Sequence, residues 1–236
     1  MTQLSDVKDK VRRGRHVFRV LTGRDLYAPV QARCATATLG NDNANWCVCP
    51  TGLSEETVVY SFGVGTDISF DLEMIRRFGV YVHAFDPTPR AIAWVRCQAP
   101  PEKFVFHDYG VSDHDGNAVF YPPENAGFVS YSIFSRGGSE GAVVEAPVYR
   151  LATIMKTLGH EKIDVLKMDI EGAEYDVLSD FLACDISVSQ LLVEFHHCWK
   201  DVGLQRTREA IRSLSGRGYR IFHVSPRGSE YSFLRV

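Results

Sequence analysis

Residues 57–86 read TVVYSFGVGTDISFDLEMIRRFGVYVHAFD, and the succession of patterns inside them decides the architecture. Thr57–Phe62 is β-branched and aromatic and is broken by Gly63, which predicts a strand. Ile68, Leu72 and Ile75 then recur at i, i+4 and i+7, so residues 68–78 are predicted as a helix with one apolar face. Gly79 stands where a helix C-terminus favours glycine. Val80–Phe85 is a second strand-like run. Thr88–Val95 suits a helix with proline near its start, and Phe104–His107 a third strand. Strand, helix, strand, helix, strand predicts an α/β fold, a parallel sheet with helices on both faces.

Further along, the same alternation resumes. A helix is expected at Leu151–Leu158, a strand at Ile163–Met168, a helix at Ala173–Leu182, a strand at Gln190–Phe195 and a helix at Gln205–Ser215. Tyr219–Val224 and Tyr231–Val236 flank Pro226-Arg227-Gly228 as a final hairpin, which makes the sheet mixed with one antiparallel strand. Between the two halves, Ala118–Tyr121, Phe128–Phe134 and Ala142–Tyr149 alternate apolar and polar residues, with turn clusters at Pro122-Pro123 and Gly137-Gly138. They read as added antiparallel strands or a lid-like insertion. Residues 1–56 have weak periodicity. Val7, Val11, Phe18 and Leu21 mark one or two helices, and Asn41–Asn45 is a turn-rich connector, so this stretch reads as a cap or arm.

A chain of 236 residues and 26.5 kDa suits one domain with at most a short appendage. The 26 Lys and Arg against 29 Asp and Glu leave a net charge of −3, which argues against coating nucleic acid by bulk charge. No apolar run reaches the roughly 18–20 residues of a membrane span, so no membrane partner is expected. Met1–Arg24 is polar, rich in Lys and Arg, and lacks the apolar stretch of a secretory signal, so a cytoplasmic location is expected. The six cysteines read mainly as unpaired thiols of a reducing compartment, with a Cys47/Cys49 metal or redox role as the lesser alternative.

Two motifs carry chemistry. Gly63-Val64-Gly65 ends the first strand and opens the first helix, where glycines let backbone N–H groups approach a ligand. The dinucleotide fingerprint needs a third glycine where Ile68 stands, so a ligand without phosphates in that loop is favoured over a nicotinamide dinucleotide. Asp86, 21 residues after Gly65, ends the second strand and can accept from both ribose hydroxyls of an adenosine moiety. Phe106–Gly110, with Asp108 and Tyr109, ends the third strand, placed to hold an adenine edge. The glycines alone also suit an ordinary tight turn, and Asp86 alone a helix cap.

The second motif is Lys167-Met-Asp169-Ile-Glu171-Gly-Ala-Glu174. A buried parallel strand should be continuously apolar, yet Lys167 and Asp169 interrupt this one and point to one face at period two. Glu194 and His196 end the next apolar strand, so Asp169, Glu194 and His196 are expected to converge beside the cleft. A structural reading, a salt-bridge network of Lys167 and the carboxylates capping the next helix, competes for Lys167 and Glu174. Asp169 and His196 read as functional, and His197 and Cys198 as bystanders.

On these residues the sequence resembles the FkbM-type S-adenosylmethionine-dependent methyltransferases. Lys167–Glu174 looks like the family's K-x-D-x-E-G-x-E signature, and Y-S-F-G-V-G-T-D at 60–67, H-A-F-D-P-T-P at 83–89 and G-V-S-D-H-D-G-N-A at 110–118 match in order. The resemblance covers roughly residues 46–236, leaving 1–45 as a helical arm or cap. Departures are Ala152, where many members carry Asp, and Ser61-Phe62 in place of an acidic residue before the first glycine, a role for which Asp67 is the substitute. The resemblance implies a Rossmann-like class I methyltransferase fold, with a seven-stranded sheet whose last strand is antiparallel. It implies S-adenosyl-L-methionine as cofactor, S-adenosyl-L-homocysteine as product, and O-methylation of a hydroxyl on a sugar or other small natural product.

The residues expected to hold the cofactor are Gly63, Val64, Gly65, Asp67, Phe85, Asp86, Asp108, Tyr109 and Asp169. Those expected at the chemistry are Asp169, His196, Glu171 and Glu194, with His196 or Asp169 as general base. Asp169, Glu194 and His196 also form an oxygen and nitrogen set suited to Mg²⁺, Mn²⁺ or Zn²⁺, which keeps metal assistance open. A nucleotide-binding module without catalysis is the remaining alternative. Tyr121, Phe128, Tyr131, Phe134 and Arg136 are candidates to line the acceptor pocket, or simply to pack a strand.

Overall fold

The strand that opens the quoted stretch, β3 (Val58–Phe62), lies inside a seven-stranded sheet, next to its middle strand. The computed structural model describes residues 3–42, 44–122, 131–132, 143–184, 186–199 and 202–236. Ahead of β3 come helix α1 (Gln3–Leu21) and a short hairpin of β1 (Ala37–Leu39) and β2 (Trp46–Val48). After it follow α2 (Ser69–Phe78), β4 (Tyr81–Phe85), α3 (Pro89–Gln98), β5 (Phe104–His107), β6 (Gly110–Ser112), β7 (Gly116–Phe120) and β8 (Val144–Arg150). The second half holds α4 (Leu151–Leu158), β9 (Lys162–Met168), α5 (Glu174–Ala183), β10 (Ser187–Glu194), α6 (Gly203–Gly216), β11 (Tyr219–Val224) and β12 (Glu230–Arg235). The strand order is β11-β12-β10-β9-β3-β4-β5, and only β12 runs against the others. That is the expected class I methyltransferase arrangement with its antiparallel last strand, seated between β10 and β11.

Register lines up the carboxyl ends of the parallel strands. Phe62 pairs with Met168 and Phe85, Phe85 with His107, and Met168 with Val193. The residues just past that row are Gly63, Asp86, Asp108, Asp169 and Glu194, so five loops leave the sheet at one edge, where ligands of such sheets bind. The strands read as continuous apolar runs because both faces are covered. Val59, Val82, Val165 and Leu192 pack with Ile68, Phe70 and Met74 of the α2 side, and with Leu39, Trp46 and Val48 of the hairpin. Phe62, Phe85, Leu166 and Met168 pack on the other side with Leu151, Ile154, Val177, Leu178 and Phe181 of α4 and α5. Ile68, which displaced the third glycine, is buried in the first of these cores.

The insertion differs from expectation. Strands β6, β8 and β7 form a second sheet with β8 in the middle; β7 and β8 pair antiparallel as expected, whereas β6, which runs parallel to β8, was not expected as a strand. Tyr121 and Ser132 form one further antiparallel bridge, while Phe128, Phe134 and Arg136 lie outside the described residues. The N-terminal stretch contains one long helix, and the expected division at residue 45 falls within the turn of the β1–β2 hairpin. Cys47 and Cys49 are buried free thiols, and burial pushes the Cys47 thiol up to about 12, which disfavours the reactive thiolate.

Three histidines share the α4 side of the sheet. The Tyr60 hydroxyl and His160 Nδ1 are 2.7 Å apart, and His83 Nδ1 and His107 Nε2 are 3.1 Å apart with their rings stacked. Burial lowers all three imidazoles, His83 to about 4. In the unfolded chain each would take up a proton near the ordinary value of roughly 6.5. At these sites the unfolded state therefore binds more protons between those values, so the three imidazoles take away stability as pH drops from about 6.5 toward 4. Urea midpoints measured across that window should decline, and His83→Asn should flatten the decline; an unchanged slope in the variant would contradict the assignment.

Candidate active site

The loop between β3 and α2 is fixed by its backbone. Gly63 has φ +74°, and a Cβ there would lie 1.7 Å from the Asp169 carbonyl oxygen, so only glycine allows β3 and β9 to end this close. Gly63 N–H donates to the Phe85 carbonyl at 2.9 Å. Lys167, only 5% exposed, donates to the Phe62 and Gly63 carbonyls at 3.2 and 2.8 Å and lies over the Trp46 ring. Its ammonium holds the end of the central strand, so the salt bridge expected between Lys167 and the signature carboxylates is replaced by carbonyl contacts.

Asp86 closes the loop from the β4 side. One carboxylate oxygen accepts from Gly65 N–H at 2.9 Å; the other accepts from the Thr88 N–H at 2.9 Å and hydroxyl at 2.6 Å. Burial raises its pKa against those hydrogen bonds. Asp67 accepts from Ser69 N–H and the Asn41 side chain, which ties the hairpin turn to the loop. These residues line a cavity of about 520 Å³ with Gly63, Val64, Gly65, Phe85 and Asp169. That volume is within the range of small-molecule sites.

Asp108 and Tyr109 fall elsewhere. The Asp108 carboxylate is exposed beside Arg96 at 3.4 Å, and Tyr109 packs against Phe85 and Tyr149. The cavity wall that was sought there comes from the following residues, Gly110 to His114, and from Asn117 to Tyr121 of the small sheet. Trp46 and Ala44 of the hairpin, and Asp71 on α2, also face the cavity and were missed. A signal for Asp71 existed: an acid three residues after Ile68 and four before Ile75 lies on the apolar helix face. Burial pushes its carboxyl up to about 6 against the pull of Lys167.

Across the cavity mouth stands an acid–imidazole cluster. His196 Nδ1 and Glu174 Oε1 are 2.9 Å apart, while His196 Nε2 lies 3.4 Å from Glu171 and 3.9 Å from Asp169. Glu174 is fully buried and also accepts from the Ile170 and Gly172 N–H groups. Glu171 takes φ +53°, a left-handed conformation that is uncommon outside glycine, and its carbonyl accepts from the Ser132 hydroxyl at 2.9 Å. Burial opposes charge on His196, but Glu174, Glu171 and Asp169 outweigh it and push the imidazole up to about 10. The ring is therefore protonated at neutral pH. Burial raises Asp169 despite Lys167 and His196, and burial with the neighbouring carboxylates of Asp169 and Glu230 raises Glu194 well above the ordinary range.

Of the expected metal set, Asp169 and His196 do meet, but the third residue whose ligand atom comes within 4.8 Å of both is Glu171 rather than Glu194. Glu194 sits behind, paired in register with Glu230 of β12. His197, read as a bystander, is buried and bonded to Asp25 at 2.8 Å. Asp25 in turn pairs with Arg19 at 2.8 Å and accepts from Leu26 N–H.

Gly63→Ala should cost on the order of 3–5 kcal/mol, since the added carbon meets backbone and the dihedral disfavours it. Thermal unfolding of that variant within a degree of the parent would contradict the close approach of β3 and β9.

A family model described as the methyltransferase FkbM domain matches residues 58–221. Similar curated proteins are "Probable methyltransferase-like protein 24" of Rattus norvegicus, 27% identical over 177 residues, and its Homo sapiens counterpart, 25% identical over 179. Each match covers 70% of this chain and 42% of the relative, so the chain spans less than half the length of either. Among solved structures, the fibrillarin pre-rRNA processing protein of Methanococcus jannaschii superposes at a TM-score of 0.48 with 10% identity, over 78% of this chain and 68% of that one. Aeropyrum pernix fibrillarin, crystallised with bound S-adenosyl-L-methionine, superposes at 0.43 with 7% identity, over 88% and 85%. With its signature residues gathered at one edge of the sheet and the domain model spanning most of its length, the chain belongs to the FkbM methyltransferase family.

Proposed function

We propose that this chain transfers a methyl group from S-adenosyl-L-methionine to a hydroxyl of a small acceptor, a sugar or a related natural product. The observation that carries the reading is the placement of Asp169, which lines the cavity beside the Gly63 loop and faces the His196 cluster at once. S-adenosyl-L-methionine, when bound, supplies an electrophilic methyl on a sulfonium. The Gly63–Gly65 loop and Asp86 are suited to its adenosine end, with the carboxylate of Asp86 turned to the ribose. The polar and aromatic wall of Asp113, Asn117, Tyr121 and Tyr131 is suited to a hydroxyl-bearing acceptor.

An alcohol is a weak nucleophile and gains from a base within hydrogen-bond reach. A protonated His196 cannot accept that proton, so the base in this reading is Asp169, whose pKa is raised and whose side chain is 29% exposed. His196 and Glu171 orient it. Glu194 sits behind the cluster, beside Glu230. The remaining work is alignment of acceptor oxygen, methyl and sulfur.

A second reading rests on the close approach of Asp169, Glu171 and His196 ligand atoms, which could hold a divalent cation and lower the acceptor's pKa. Release of S-adenosyl-L-homocysteine should be followed across a library of hydroxyl acceptors. Asp169→Asn should lower turnover by roughly 10²–10⁴-fold while cofactor binding persists. Turnover that survives exhaustive chelation excludes the cation, and absence of release with every acceptor class leaves a cofactor-binding module. Separately, calorimetry with S-adenosyl-L-homocysteine should show binding weakened by at least about tenfold in Asp86→Ala. Equal affinity in the two proteins would sink the ribose assignment.

A further inference from the structure

Helix α1 is amphipathic in the inverse sense. An ordinary surface helix turns its apolar stripe to the core and its charges to water. Here the side facing the domain is polar. The His16 ring lies against Gly228, where a Cβ would come within 2.5 Å of Nε2, and His16 Nε2 is 3.2 Å from the Leu26 carbonyl. Arg19 donates to the Arg227 carbonyl at 2.6 Å and pairs with buried Asp25. The opposite side carries Val7, Val11, Val17, Phe18 and Leu21, between 50% and 81% exposed. Val7, Val11, Gly14, Phe18 and Leu21 recur at alternating steps of four and three, a continuous stripe, and a Cβ at Gly14 would meet nothing.

Cations edge that stripe. At 100° per residue Lys8 and Arg15 lie along one margin, and Lys10 and Arg13 along the other. All four are exposed, and only Lys8 has an ion-pair partner among the described residues, Asp42 at 3.7 Å. The helix carries six Lys and Arg against two Asp, in a chain whose net charge is −3.

We propose that the outward face of α1 docks on an anionic lipid surface, lying in the interface without crossing it. Among the described residues no helix is long and apolar enough to span a membrane. An apolar stripe bordered on both sides by Lys and Arg is the form that inserts shallowly, with the long cationic side chains reaching up to lipid headgroups. A second copy of the helix on the same stripe would bring like-charged margins together, whereas anionic headgroups neutralise them. The sequence reading expected no membrane partner because it looked for a span. The inference is independent of the methyl-transfer reading.

The test is co-sedimentation of the 236-residue chain with two vesicle types, phosphatidylcholine alone and phosphatidylcholine with about a third phosphatidylserine. At least about tenfold more protein should pellet with the anionic vesicles, and raising the salt toward 1 M should release it. The double variant Phe18→Glu/Leu21→Glu should lose the binding while its thermal unfolding and its affinity for S-adenosyl-L-homocysteine stay unchanged, since neither side chain contributes to the core. Protein that stays in the supernatant with both vesicle types overturns the proposal. Equal pelleting with both overturns it too, as does a concentration-dependent dimer in light scattering that the double variant abolishes.

Discussion

One buried ammonium organises the catalytic edge of this molecule. Lys167 is withdrawn from water on a central strand, and a charge there is costly unless it is compensated. Its hydrogen bonds go to the last carbonyls of β3, and its field acts on Asp71, Asp86 and Asp169, opposing the effect of burial on each. Without that cation three acids would face one another across the loop with little to offset them. The same contacts hold the Gly63 turn against Asp169, so the shape of the cofactor loop and the charge state of the candidate base have a common origin.

The second cluster is arranged differently. Around His196 the acids outnumber the cation, and the balance is met by keeping the imidazole protonated and by raising the carboxyls of Asp169 and Glu194. Glu174 anchors the arrangement, because it is fully buried and bonded to the backbone at the start of α5 as well as to the ring. A histidine so held orients its neighbours more readily than it accepts a proton. That moves the basic role to Asp169, which sits between the two clusters.

Much of this was legible in the sequence, for identifiable reasons. The parallel strands were found because burial on both faces demands continuous apolar runs, and the antiparallel last strand because a turn separates two such runs. Asp169 and His196 came together as expected because parallel register places consecutive strand ends in one row, while Glu171 took the place expected of Glu194. Asp108 was misplaced because, although β5 ends at His107 as expected, its carboxylate turns outward to Arg96. The hairpin of β1 and β2 was invisible, since three-residue strands carry too little periodicity. His197 and Asp25 could not be paired in advance, because 172 residues separate them and neither lies in a pattern.

That last contact has a consequence for how the molecule is assembled. The arm is synthesised well before the groups on which it docks: His197, the Ile221 carbonyl that receives Gln31 and Ala32, and the turn at Arg227 and Gly228. Closing contacts of such sequence separation is slow. During synthesis the arm must therefore wait, with the polar side that carries His16 and Arg19 uncovered as well as its apolar stripe, until the far end of the sheet is complete. His197 adjoins His196, so the seat of the arm and the catalytic edge share one strand end.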